Sequence, residues 1–368
     1  MAKSINKKFY FPFTYEPTKS IEVLSKSNTY FEKNNQKKME IEEIAWAILT
    51  IGKVIPQTTD NLWSGHFFPY MESWDEMQIS FNLALLGLYK QAFVSLRSSL
   101  ELGMLSVYYN INDDGQKTVK KWLKSEDSSE ANTPRFGEIW KILYTNQNIF
   151  LFEERYNLRN RFNNLNILHN YVHTKGIKYS NKLGLFKSNF QTFEEAVLNK
   201  WIETYKDVAI LIITLHLLRY PIGVIEYDWD QKVGIDNPFP VLSKYEIERL
   251  REILPQGYID FIVELADKDK STQGLFEDIK QLPNMSEEEV EKQITDLAKR
   301  LIENGNGFVD WEKQQLKLIK SYSESSKQKA LKRISMLKKW AIKNDYMESK
   351  LYRLIKSGII KNPKVTNT

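Results

Sequence analysis

A long apolar segment near the middle of the first half constrains the fold more than any other feature. Residues 77–109 read MQISFNLALLGLYKQAFVSLRSSLELGMLSVYY and are apolar over most of a helical surface. A helix that is apolar nearly all round is buried by its neighbours. We therefore expect one central helix, with other helices packed around it.

Helical periodicity continues along most of the 368 residues, with no alternation typical of strands and no internal repeat. Further helices are predicted over residues 119–123, 136–144, 150–174, 193–220, 243–266, 286–303, 311–320 and 326–356. The predicted class is all-α, with a helical bundle, a small acidic helical unit and a basic helical C-terminal region.

Charge is distributed unevenly along the chain, whose net charge is +5. Residues 240–303 carry 9 Lys and Arg against 15 Asp and Glu, whereas residues 304–368 carry 15 against 5. Such asymmetry bears on partners rather than on fold. With the change in composition it predicts a bundle over 1–222, a linker over 223–240, an acidic helical unit over 241–303 and a basic helical region over 304–368.

Composition and motifs exclude several classes of function. The absence of cysteine excludes disulfides, thiolate zinc sites and cysteine nucleophiles. The N-terminus lacks the sustained apolar run of a secretory signal, and the longest apolar run, 208–218, is shorter than the roughly 20 residues that span a bilayer. Fingerprints of ATPases, dinucleotide-binding proteins and hydrolases are missing. We expect a cytoplasmic protein that binds no membrane, metal or cofactor.

The most distinctive polar segment is 153–175, EERYNLRNRFNNLNILHNYVHTK, which holds two of the four histidines. Residues three or four apart on a helix are neighbours. The spacing therefore predicts a polar stripe that begins at Arg159 and comprises Asn163, Asn166, His169, Asn170 and His173. Burying such groups unpaired costs on the order of 1–3 kcal/mol each, so the stripe requires solvent, a cleft or partners.

A partner is predicted within the apolar segment, where Arg97 and Glu101 lie one helical turn apart. A charge pair in a buried helix is expensive unless it meets complementary groups. We expect the pair to pack against the polar stripe, where Glu101 fixes a histidine tautomer or raises a histidine pKa. The alternative is that His169 and His173 are hydrogen-bonded core residues.

These features resemble the HEPN superfamily of bacterial helical domains, many of which are metal-independent RNases of toxin and phage-defence systems. In that superfamily an arginine, usually followed by a polar residue, precedes a histidine by four to six residues on the last long helix. Here seven residues separate Arg161 from His169, and Arg159 is followed by Asn160. The resemblance covers roughly residues 77–220, including RSSLE and YVHTKG.

The resemblance implies RNA cleavage by 2′-hydroxyl attack without a metal. His169 is then the general acid or base, and Arg161 or Arg159 stabilises the charge of the transition state. The implied catalytic set is His169, Arg161, His173 and Asn166, and the supporting set is Arg97, Glu101 and Arg159. Sites of this superfamily are usually completed across a dimer, which implies a homodimer with RNA as its partner.

The basic C-terminal region indicates a second class of function. The helix predicted there carries an apolar stripe surrounded by basic residues. Candidate nucleic-acid-binding residues are Lys332, Arg333, Lys338, Lys339 and Lys343. Such a helix contacts phosphates, docks on an acidic partner protein, or packs on the chain's own acidic unit. The alternative function is therefore a non-enzymatic interaction protein that binds nucleic acid or another protein.

The other two histidines are predicted to be packing residues. His66 lies in LWSGHFFPY and His216 in IITLHLLRY, both among apolar neighbours. The four histidines show no metal-ligand spacing, and the calcium-loop-like segment 267–278 lacks the glycine and the final glutamate of an EF-hand.

Overall fold

The structure is a computed structural model that describes residues 16–55, 67–114, 116–125, 131–180, 191–234 and 240–357. All regular elements among these residues are helical, which confirms the predicted all-α class. In chain order the helices are α1 (Pro17–Lys33), α2 (Asn35–Ile51), α3 (Phe67–Leu85), α4 (Tyr89–Ile111), α5 (Lys117–Lys124), α6 (Phe136–Leu143), α7 (Gln147–Tyr156), α8 (Leu158–Leu165), α9 (Ile167–Val172), α10 (Glu195–Arg219), α11 (Trp229–Val233), α12 (Lys244–Ile253), α13 (Tyr258–Lys268), α14 (Lys270–Gln281), α15 (Glu287–Asn304), α16 (Gly307–Leu318), α17 (Glu324–Lys343) and α18 (Lys350–Lys356).

The chain forms two compact units. The first unit comprises Met1–Asp228 and Pro238–Ile279, and the second comprises Trp229–Asn237 and Lys280–Thr368. These boundaries do not coincide with the segments defined by charge, because α12 and α13 contribute side chains to the main core of the first unit. The charge of a segment describes its solvent-facing side chains, whereas its apolar side chains determine where it packs.

The core of the first unit is organised around α4 and α10, whose side chains are buried along most of their length. The two helices approach closely at Gly103, where an added Cβ would lie 2.7 Å from Cγ1 of Ile212. The predicted central helix is therefore present, but it does not extend over the whole of residues 77–109. The chain turns at Gly87, which has φ +74° and would meet Thr192 O at 2.7 Å if it carried a Cβ. A glycine accommodates both conditions.

The helix predicted over residues 150–174 is also interrupted, and this changes the candidate site. Asn157 adopts a left-handed conformation, with φ 50° and ψ 53°, between α7 and α8. Its N–H donates to the Glu153 carbonyl at 2.8 Å, and its side chain accepts from the Asn160 N–H at 3.2 Å. A second break at Asn166 separates α8 from α9. The predicted stripe is thus divided between two helices instead of following one face.

The remaining predictions agree with the structure to different degrees. The predicted helices 136–144, 193–220 and 286–303 correspond to α6, α10 and α15 within two residues at each end. In contrast, the segments 243–266 and 326–356 each contain two helices instead of one. Within the part of the chain that the structure describes, none of the helices has the length and apolar character needed to cross a bilayer.

The second unit has its own small core between α15, α16 and α17. Ile302, Phe308, Leu337 and Ala341 are fully buried there. Its α15 begins with a capping box, in which the Ser286 hydroxyl accepts from the N–H three residues later. Part of the basic region packs on the acidic helix, because ion pairs join α17 to α15.

Candidate functional site

The two histidines of the polar segment form an exposed pair. His169 lies on α9 and His173 directly follows that helix, with their ring centroids 4.2 Å apart and their planes at 53°. Both side chains are exposed, and no described residue hydrogen-bonds to either ring. They are therefore not the paired core histidines of the alternative interpretation.

Packing of α9 on α4 directs the histidines outward. Leu168 and Tyr171 occupy the opposite side of α9 and are buried, and the Tyr171 ring stacks on Phe93 at 4.7 Å and 9°. Just after the helix, Lys90 Nζ donates to Thr174 Oγ1 at 2.7 Å. The inner face of α9 is thus fixed to the bundle, and its outer face presents the imidazoles to solvent.

Arg97 and Glu101 of α4 form the predicted pair, but their partners differ from those expected. The Arg97 Nη1 donates to Glu101 Oε2 at 2.9 Å, and the two side chains are 15% and 32% exposed. The Arg97 guanidinium also lies 4.2 Å from the centroid of the Phe136 ring. The pair is therefore satisfied within α4 and on α6, and not by hydrogen bonds to α9.

The pKa of His169 lies below the ordinary histidine value. Partial desolvation is the largest cause, followed by the electrostatic effects of His173, Arg97 and Lys175, whereas Glu101 acts in the opposite direction. The net direction is opposite to that expected from Glu101 alone. The net shift favours the neutral form of His169, in a mainly cationic environment.

Arg161 forms an ion pair with a residue of α10. Its guanidinium donates to the Asp207 carboxylate of α10. Among the described residues, neither an ion pair nor a hydrogen bond links Arg161 to His169. The arginine and the histidine of the predicted catalytic motif therefore make no direct hydrogen bond or ion pair with each other.

Arg159, the other arginine of the motif, is packed among aromatic rings. Its guanidinium lies 4.8 Å from the Trp140 ring and 5.0 Å from the Phe162 ring, and its Nη1 is buried without a hydrogen-bond partner. Burial lowers the pKa of Arg159, although Tyr144 and Glu153 oppose that effect. These contacts hold α8 against α6, which is a structural role.

Two further residues complete the description of the site. Asn166 is exposed at the junction of α8 and α9, where its carbonyl accepts the N–H of His169 at 3.1 Å. Lys175, whose charge acts on His169, was not among the predicted site residues. The only signal for it in the sequence is its position directly after the pair, in HTKG.

His216 of α10 is a core histidine, as predicted. It is 1% exposed, with Nδ1 2.8 Å from the Ile212 carbonyl and Nε2 3.1 Å from the Ser106 hydroxyl. Burial lowers the pKa of His216 to about 4. His66 lies outside the described residues.

The candidate nucleic-acid-binding residues of α17 fall into two groups. Arg333 donates to both carboxylate oxygens of Glu291, at 2.6 and 2.8 Å, so its guanidinium is engaged within the second unit. The other candidates are exposed, and no ion pair to a described residue neutralises them; they are Lys332, Lys338, Lys339 and Lys343.

In the described part of the chain, no group of three or more histidine or acidic side chains is arranged to hold a metal ion.

Comparison with known proteins gives no match to a family model, to a curated protein or to a solved structure. The HEPN resemblance therefore stays a prediction, and the function is inferred from the chemistry of the site.

Proposed function

We propose that the first unit is a HEPN-like, metal-independent endoribonuclease of a bacterial toxin or phage-defence system. Its proposed site is the exposed pair of His169 and His173 together with the largely buried Arg97. The observation that carries the proposal is the pair of imidazole rings 4.2 Å apart, near enough to Arg97 for its charge to act on His169. Phosphodiester cleavage by an internal 2′-hydroxyl is accelerated by two groups that transfer protons and by a cation that stabilises the negative charge of the transition state.

The proposed reaction is a transesterification. The 2′-oxygen attacks the adjacent phosphorus while the bond from phosphorus to the 5′-oxygen of the next nucleotide breaks. His169 accepts the proton of the 2′-hydroxyl, and His173 donates a proton to the leaving 5′-oxygen. The products are a 2′,3′-cyclic phosphate and a 5′-hydroxyl. The lowered pKa of His169 favours this assignment, because a general base must be neutral before it accepts a proton.

In this proposal Arg97 has the role that the resemblance implies for Arg161 or Arg159. The ion pair with Asp207 engages Arg161, whereas Arg97 lies close enough to lower the pKa of His169. Glu101 holds the Arg97 guanidinium in position, and Lys175 supplies a second positive charge to a bound phosphate.

The proposal includes a homodimer in which two copies of the chain meet at the surface that carries the two histidines. Val172 and Ile177 are 44% and 70% exposed, close in sequence to the histidines. Exposed apolar side chains next to polar groups are typical of interaction surfaces. A second copy of the chain would cover these residues and exclude water from the site.

The experiment is cleavage of total RNA and tRNA by the purified full chain in EDTA, comparing wild type with His169→Ala. We expect cutting that the substitution lowers by about 10²–10⁴-fold, the usual contribution of a general acid or base. New 3′ ends should resist poly(A) tailing until the cyclic phosphate is removed enzymatically. No cutting by wild type would instead favour the alternative, a non-enzymatic interaction protein.

A further inference from the structure

The basic residues of α17 divide into a neutralised set and an uncompensated set. Lys329 pairs with Glu287 at 2.7 Å, and Arg333 pairs with Glu291 through two hydrogen bonds. These contacts hold α17 against α15. The charges of Lys329 and Arg333 are therefore directed at carboxylates of the same unit.

Three residues of the uncompensated set lie on the opposite side of the helix from the core. Lys332, Lys339 and Lys343 are seven and four residues apart, which places them along one face, whereas Lys338 lies about 100° around the helix from Lys339. No acidic residue occurs from 325 to 344. At 1.5 Å per residue, the three aligned lysines extend over about 16 Å.

We propose that the lysine face of α17, comprising Lys332, Lys339 and Lys343 with Lys338 on the adjoining side of the helix, binds the phosphate backbone of a nucleic acid. A row of cations that form no ion pair with a described residue is complementary to a chain of regularly spaced phosphates, and binding releases counterions. Lysine contacts of this kind position a nucleic acid without reading its bases. The proposal does not rest on the ribonuclease proposal, since it concerns other residues in the other unit.

A lipid surface fits this face less well. Basic helices that lie on membranes insert an apolar side among the acyl chains. The apolar side of α17 is already buried in the core of the second unit, through Ala330, Ile334, Leu337 and Ala341. Three large apolar side chains of α17 remain exposed, namely Leu331, Met336 and Ile342, so binding to lipid vesicles is one of the outcomes that the test must distinguish.

The test is fluorescence anisotropy of labelled 20-nucleotide RNA and DNA with the full chain. All proteins carry His169→Ala so that RNA remains intact if the site cleaves it. The test variant is Lys332→Gln with Lys339→Gln and Lys343→Gln. The control is Lys117→Gln with Lys121→Gln and Lys124→Gln, which removes the same charge from three exposed lysines of α5 in the first unit. Circular dichroism establishes that each variant folds.

We expect the α17 variant to weaken RNA binding at least about tenfold at low salt, and the α5 variant less than about twofold. The plot of log affinity against log salt should become less steep by about 2 in the α17 variant, because three phosphate contacts are lost and each contributes about 0.7 to the slope. Equal binding of RNA and DNA supports recognition of the backbone. No binding by the parent protein, or equal losses in both variants, would overturn the proposal. Binding of the parent protein to vesicles containing phosphatidylserine, with no binding to RNA or DNA, would also overturn the proposal.

Discussion

The imidazole rings of His169 and His173 lie with their centroids 4.2 Å apart on the exposed side of α9. At this separation a positive charge on His173 disfavours protonation of His169. Desolvation and the cationic neighbours add to this effect and hold the pKa of His169 below its ordinary value.

The first prediction concerns this pKa and is measured by NMR titration of the histidine ring protons. His173→Ala and Arg97→Ala should each raise the pKa of His169, because each removes a group that lowers it. Glu101→Gln should lower it further, because Glu101 alone acts in the opposite direction. A His169 pKa at the ordinary value in all four proteins would contradict the described cluster.

His216 makes the stability of the first unit dependent on pH. Its folded-state pKa of about 4 lies below the unfolded value of 6.5, so the unfolded chain binds the extra proton between these pH values. Stability is therefore fully present above pH 6.5 and falls as pH is lowered toward 4. The loss from this group between pH 7 and pH 5 should be about 2 kcal/mol.

Urea unfolding at the two pH values measures this loss, with His216→Gln as the comparison. The variant lacks the titrating group and should show a pH dependence smaller by about the same 2 kcal/mol. An unchanged pH dependence would show that His216 does not remain neutral in the folded protein.

The close approach of α4 and α10 predicts opposite effects for two glycine substitutions. Gly103→Ala should destabilise the protein by about 1–3 kcal/mol, because the new methyl group would meet Ile212 at 2.7 Å. Gly137→Ala in α6 meets nothing within 4 Å and should be neutral or stabilising by up to about 1 kcal/mol. Thermal unfolding monitored by circular dichroism measures both changes, and equal effects would contradict the described crossing.

Asn157 supplies a test of the break between α7 and α8. Asn157→Ala removes the side-chain cap and places a residue with a Cβ but no polar group in a left-handed conformation, which should cost about 1–3 kcal/mol. Asn157→Asp retains an acceptor and should stay within about 0.5 kcal/mol of wild type. Chemical denaturation measures both, and a neutral alanine variant would indicate one continuous helix.

Sequence periodicity predicted the all-α class and the positions of α6, α10 and α15, because apolar residues must face the core at helical spacing, but it did not predict α1, α2 or α14. It failed at Gly87, Asn157 and Asn166, where the periodicity persists across a break that is only one to three residues long. At Gly87 the chain passes close to the Thr192 carbonyl, a residue distant in sequence, and this approach requires a glycine at the turn. Local patterning contains no information about such a contact.

The candidate site was predictable as a set of residue types but not as an arrangement. The exposed histidine pair follows from a spacing of four residues within α9 and the turn after it. The partner of Arg161 did not follow, because Asp207 lies on another helix and carries no motif. The sequence predicted Arg97 as a supporting residue, but its effect on the pKa of His169 follows from the packing of α4 beside α9.

The most direct measurement of the central claim is single-turnover cleavage of a 5′-labelled oligoribonucleotide in EDTA by wild type, His169→Ala, Arg97→Ala and Arg161→Ala. An all-deoxy strand of the same sequence is the substrate control. We predict that wild type cuts the RNA and leaves the DNA intact, that His169→Ala and Arg97→Ala lose at least about 100-fold in rate, and that Arg161→Ala retains most of it. Cleavage by His169→Ala at the wild-type rate, or no cleavage by wild type, would contradict the account.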